Sequence, residues 1–199
     1  GKAGSGHGPG EGTGVFGMYG MVNKAIEDLV TDLKGAAAWE ALKRDADVDV
    51  ETFVGMDRYD DAVTYRLVDA ASRMFGVPAE EILEAFGEYW TVYTANKGYG
   101  HLMAAAGNSV FEVLENLDAM HTRLAMIYPD MRIPQFRLIR DAAGHGWLTY
   151  QSDRAGLGAM VVGLLKGLGR RFGTPVAVEW VERRDEGAAA DRFRVALEV

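Results

Sequence analysis

The period of the apolar residues changes once along this chain, near Pro129, and that change limits the folds open to it. Before it the apolar positions recur every three or four residues, the period of a helix. Val22, Ala25, Ile26, Leu29, Val30 and Leu33 give a first helix from Met18, with Gly35 as its stop. Ala36 to Lys43 gives a second. Asp60 or Asp61 caps a third, whose stripe is Val63, Leu67, Val68, Ala71 and Met74, and Gly76-Val77-Pro78 punctuates it. Ala79 to about Thr94 is a fourth, with Glu80 and Glu81 at its positive end and Tyr89, Trp90 and Tyr93 at the other. Gly98-Tyr99-Gly100 breaks the chain, and a short apolar turn runs from His101 to Ala106. Asn108 or Ser109 then caps a long helix reaching Tyr128 and closed by Pro129.

Beyond Pro129 the alternation is that of strands. Gln135–Arg140 and Gly146–Ser152 flank the turn Asp141-Ala-Ala-Gly-His145, Arg154–Phe172 reads as a helix, and Val176–Arg183 and Arg192–Val199 are two further strands. Helices followed by clustered strands indicate an α+β fold: an N-terminal helical subdomain, then a long helix and an antiparallel four-stranded sheet with one helix. The segment 1–17, GKAGSGHGPGEGTGVFG, is dominated by glycine and reads as a flexible tail, natural or vector-derived, so its His7 is set aside. Residues 18–199 are then expected to form a single domain.

Composition narrows the function. With 29 acidic against 21 basic residues and a net charge of −8, nucleic acid and anionic membrane surfaces are unsuitable partners. The chain has no cysteine, which excludes disulfides, thiolate nucleophiles, zinc fingers and iron–sulfur clusters and is compatible with a reducing cytoplasm. No apolar run is long enough to span a membrane and no signal peptide is visible.

Two arrangements carry chemistry. On the long helix, Val110, Leu114, Leu117, His121 and Leu124 are spaced by 4, 3, 4 and 3, so the histidine shares the apolar face. Such an imidazole is either a core histidine bonded to a backbone carbonyl or a ligand. If a ligand, it suits haem iron, which needs only one axial histidine, better than zinc, which needs three or four protein ligands. The second arrangement is Tyr150-x-Ser152-x-Arg154. Extended backbone places two hydroxyls and a guanidinium on one face, a set suited to carboxylate or phosphate. On spacing alone, an ordinary alternating strand with Arg154 helping to start the next helix is the better account of it.

Together with Met18-Tyr-Gly-Met-Val-Asn23, Asn116-Leu-Asp-Ala-Met-His121 and Ile127-Tyr-Pro-Asp-Met-Arg132, these motifs make the chain resemble the H-NOX family, the haem nitric oxide/oxygen-binding domains of bacterial sensors and soluble guanylate cyclase. The resemblance covers about Met18 to Val199. It implies a haem b (iron protoporphyrin IX) buried between the helical half and the sheet. His121 would ligate its iron, Tyr150, Ser152 and Arg154 would hold its propionates, and Pro134 would press on the porphyrin. It also implies a gas pocket at Ile26, Trp90 and Met160. Oxygen-binding members have a tyrosine where this chain has Met160, which has no proton to donate, so the expected ligands are nitric oxide and carbon monoxide with discrimination against oxygen. Trp90 or Tyr89 as donor to oxygen is the alternative. The implied signal is release of His121, with the long helix moving relative to the sheet half. No output domain is expected beyond the last strand, so the expected partner is a separate histidine kinase or cyclic-dinucleotide enzyme, or a fused effector if the chain is a fragment. Rival readings are a haem enzyme such as a peroxidase, for which Ile26, Trp90 and Met160 supply no acid–base group, and a haem-free interaction module. His101, beside a glycine turn, and His145, in a hairpin loop, are expected in solvent. No enzymatic motif is apparent.

Overall fold

The structure, a computed structural model, describes residues 18–128 and 130–198. The expected tail and the helix-closing Pro129 lie outside the described residues. The chain begins with β1 (Met18–Tyr19), α1 (Gly20–Lys34) and α2 (Ala36–Asp45), then β2 (Arg58–Tyr59) and α3 (Asp61–Phe75). It continues through α4 (Ala79–Asn96), α5 (Gly100–Ala106) and the long α6 (Val110–Ile127). The second half holds β3 (Gln135–Arg140), β4 (Gly146–Gln151), α7 (Gly158–Arg171), β5 (Val176–Glu182) and β6 (Asp191–Leu197). The fold is α+β, with the antiparallel sheet ordered β3-β4-β6-β5.

Local chemistry sets the helix starts. The Asp60 carboxylate accepts from Ala62 N at 2.9 Å and caps α3. At α6, Ser109 Oγ accepts from Glu112 N at 3.3 Å while the Glu112 carboxylate reaches back to Asn108 N at 2.8 Å. That reciprocal pair is a close variant of the capping box. At the end of α1, Gly35 donates its N–H to Thr31 O.

Three expectations need correcting. Met18 and Tyr19 do not open the first helix; they pair with Tyr59 and Arg58 in a two-stranded ribbon. Two residues are too few to show a period. The apolar turn after Tyr99 is a full helical segment, α5. The helix read from Arg154 starts instead at Gly158. Gly156 sits at φ +76°, outside the helical region, so the apolar stripe beginning at Leu157 cannot extend back to Arg154.

Two cores result. Ala25, Ile26, Trp39, Phe53, Leu67 and Phe86 knit the first four helices together. Val113, Leu114, Leu148, Leu165, Phe193 and Val195 join α6, the sheet and α7. Leu148 and Phe193 are fully buried, and each such side chain contributes about 2–3 kcal/mol. Among the described residues no helix is long and apolar enough to cross a membrane.

Candidate functional site

A cavity of about 250 Å³ lies where the two cores meet. Ile26, Phe86 and Trp90 reach it from the helical half, and Leu114, His121, Phe136, Tyr150 and Leu165 from α6, the sheet and α7. Pro134, Ser152, Arg154 and Met160 also lie on its wall, so the structure brings together every residue that the sequence singled out for a haem site. Three others are elsewhere. Tyr89 is not on the wall; its hydroxyl donates to Asp32 Oδ2 at 3.3 Å. His145 is tied to the Asp141 carboxylate in the β3–β4 hairpin, and His101 is exposed.

His121 is held by α6 with its ring stacked on Phe136, the centroids 5.8 Å apart and the planes 26° from parallel. Its Nδ1 is buried without a hydrogen-bond partner. A core histidine bonded to a backbone carbonyl is therefore not what the structure shows. Burial holds the ring's pKa below its ordinary value, and the nearby Asp118 carboxylate only partly offsets this. The imidazole is thus kept neutral, the form in which histidine ligates a metal.

The Tyr150, Ser152 and Arg154 side chains gather by a route the sequence did not show. Strand β4 ends at Gln151, and the chain then turns, with Ser152 Oγ accepting from Arg154 N at 3.1 Å. Arg154 Nε donates to Asp61 Oδ2 at 3.1 Å, and its Nη1 to Arg132 O at 3.4 Å. Arg132 also lies on the wall, its side chain within 3.8 Å of Asp61. The cavity therefore has one charged rim with two guanidiniums, while the rest of its wall is mainly aliphatic and aromatic. Arg132 stood in the Ile127–Arg132 segment without a role; its place two residues before Pro134 was the available signal. Asp61 gave no signal beyond a helix start.

The threonine hydroxyls on the wall, and that of Tyr99, are engaged. Thr64 donates to Asn23 Oδ1, Thr91 to Glu88 O and Thr94 to Trp90 O, each at 2.8 Å. The Tyr99 and Tyr128 hydroxyls bond each other. Ile26 and Met160 bring no proton donor. Among the described residues the Trp90 indole N–H has no acceptor.

A neutral imidazole, a guanidinium rim and an apolar slot between two layers are the complement of a flat apolar ligand bearing carboxylates and a metal. The model of the haem-NO-binding family matches residues 19–180. This chain belongs to that family. Soluble guanylate cyclase gcy-35 of Caenorhabditis elegans is 31% identical to it over 173 residues, 85% of this chain and 25% of that protein. The β2 subunit of soluble guanylate cyclase from Rattus norvegicus is 37% identical over 108 residues, 54% of this chain and 16% of that protein. The chain thus spans about a quarter or less of these relatives. In fold it is similar to an H-NOX protein from S. oneidensis in the Fe(II)NO ligation state, with TM-score 0.84 and 18% identity over 92% of this chain and all of that one. It is also similar to an oxygen-binding H-NOX domain related to soluble guanylate cyclases, with TM-score 0.75 and 19% identity over 92% of this chain and 96% of that one. As an H-NOX member it is a haem-binding gas-sensing domain.

Proposed function

We propose that this chain senses nitric oxide, and carbon monoxide, at a ferrous haem b and discriminates against oxygen. The observation that carries the gas preference is the wall built by α1, α3, α4 and α7, where, the Trp90 indole apart, Ile26 and Met160 bring no donor and Thr64, Thr91 and Thr94 already donate elsewhere. A ligand that gains partial negative charge, as oxygen does, needs a proton donor in a dry pocket, whereas nitric oxide and carbon monoxide do not.

The residues present fit the cofactor. His121 would supply the axial imidazole, and its neutral state favours that role. Tyr150, Ser152 and Arg154 would hold the haem carboxylates, and Pro134 would pack on the macrocycle's face. The cofactor is taken as haem b on the family resemblance, and a chain without cysteine has no thiol for the covalent attachment of a c-type haem. When bound, haem supplies the iron at which a diatomic gas is recognised. The protein's part in the signal is to hold or release the His121 imidazole. Helix α6 carries that change outward: Asp118, one turn before His121, accepts from Phe136 N at 3.1 Å, and Tyr128 at its end bonds Tyr99. A helix anchored at its middle and at its C-terminal end, with His121 between the two anchors, is a two-state element of the kind a ligand can bias. Residues 18–199 act in this reading as one cytoplasmic sensor domain. Its effector is a guanylate cyclase by kinship, or a separate histidine kinase or cyclic-dinucleotide enzyme.

The deciding experiment is an absorption spectrum of the purified, haem-loaded protein, reduced without oxygen and then exposed separately to air and to nitric oxide. A histidine-ligated band that ignores air and shifts with nitric oxide is expected. A stable oxygen complex would overturn the discrimination and point to the Trp90 indole as donor. Failure to take up haem would remove the sensor reading altogether. Met160→Tyr tests the pocket directly. A phenol placed there should raise oxygen affinity at least tenfold, since a hydrogen bond to a charged acceptor is worth about 2 kcal/mol. Unchanged oxygen affinity, measured by flash photolysis, would place residue 160 out of reach of the gas.

A further inference from the structure

Asp61 is a carboxylate that the haem reading does not use. It is the first residue of α3, and its Oδ2 bonds Arg154 Nε at 3.1 Å and lies 3.8 Å from Arg132 Nη1. Its Oδ1 is buried with no hydrogen-bond partner, an arrangement that costs stability and that proteins rarely retain without cause. The start of α3 does not depend on it, because the capping bond comes from Asp60. One turn further on, the Tyr65 hydroxyl donates to Ala155 O at 2.7 Å. Residues 61 and 65, four apart on one helix face, therefore clasp the 152–157 loop. Helix α3 belongs to the helical half, and both arginines belong to the sheet half.

We propose that Asp61 is a positioning residue that fixes the Arg154 guanidinium for the haem carboxylates, so that seating of haem is linked to the closing of the two halves on each other. This rests on the haem reading above. The physical ground is that a carboxylate on the Nε side restrains rotation of the guanidinium plane, through a charge-assisted bond about twice as strong as a neutral one. An arginine so held loses less freedom on meeting a second carboxylate. Asp61 also sits between two cations that would otherwise repel each other across the rim.

The test is Asp61→Asn, which keeps the shape and one acceptor but removes the charge. Haem loss to an excess of a haem-scavenging apoglobin is timed for haem and for haem dimethyl ester, whose carboxylates are blocked. Asp61→Asn should speed loss of haem about tenfold, in the range found when groups supporting a ligating residue are removed. Loss of the ester should change less than about twofold, since Arg154 has no carboxylate there to hold. Equal acceleration for both ligands would show a merely structural role and overturn the proposal. So would unchanged loss of haem. Slower loss would overturn it in the opposite sense, marking Asp61 as a like charge that competes with the haem carboxylates. Asp61→Ser stands in if the asparagine variant does not fold. A wild-type protein that takes up neither haem nor the ester would refute the haem reading itself, a result distinct from any of these.

Discussion

In a His121→Gly variant, the reduced protein should lose its histidine-ligated haem band and regain one only when imidazole is added. Among the described residues the His121 imidazole is the cavity-wall ring whose nitrogen has a lone pair free to ligate iron, and it has a fixed seat. Phe136 stacks on the ring and α6 holds its backbone. Removing the side chain leaves a slot beside Phe136 of the size and polarity of free imidazole. The helix should survive, because glycine in a helix interior costs only about 1 kcal/mol and the Ser109 cap is untouched. A second effect separates ligation from sensing. With free imidazole the iron is ligated but no longer bonded to α6, so nitric oxide should still shift the spectrum while hydrogen exchange along α6 stays constant. His101→Gly and His145→Gly serve as controls and should leave the spectrum unchanged, since His101 is exposed and His145 faces Asp141 in a hairpin. A wild-type spectrum from His121→Gly without imidazole would refute the ligand assignment.

What could be read from the sequence follows from where the physics is local. The spacing of Val110, Leu114, Leu117, His121 and Leu124 put the histidine on the core-facing side of a helix, and it lies on the cavity wall. The four strand segments were legible from their alternation, and Phe136, Leu148, Phe193 and Val195 within them are buried. Boundaries failed where a single backbone angle decided them. Gly156 at φ +76° turned an expected first helical turn into the loop that carries Arg154. A row of side chains inferred from an extended strand is thus built by a strand end and a turn together. The contribution of Asp61 to that rim was not legible, because it joins residues 93 apart in sequence and no periodicity records a long-range ion pair. The role of Tyr89 was misjudged for a similar reason. It adjoins Trp90 on α4, but one step along a helix turns a side chain by about 100°, and Tyr89 faces Asp32 instead of the cavity.

Gly163→Ala should destabilise the fold by about 3 kcal/mol even after the roughly 1 kcal/mol that alanine adds to a helix. A Cβ on Gly163 would stand 2.0 Å from Glu84 O and 2.9 Å from Glu88 N, and one on Gly87 would stand 2.1 Å from Met160 O. These are contacts of α7 and α4 backbone with backbone, so no rotamer can relieve them and the helices must separate. Ion pairs brace the same seam, Lys166 with Glu84 and Arg170 with Glu88, the latter at 2.8 Å, and they would be stretched as the helices part. Each kilocalorie lowers the melting temperature of a domain this size by about 2–4 °C, so a drop of about 6–12 °C is expected by calorimetry. Gly55→Ala is the matched control: nothing lies within 4 Å of a Cβ there, and its melting temperature should hardly move. The two helices also carry Trp90 and Met160 to the cavity wall, so parting them widens the slot exactly where the gas is expected. Haem should then dissociate faster, because the width of the slot that would hold it is set by how closely two backbones approach. An unchanged melting temperature for Gly163→Ala would mean that α4 and α7 slide apart at no cost, and the pocket's width would then have to be fixed by side chains alone.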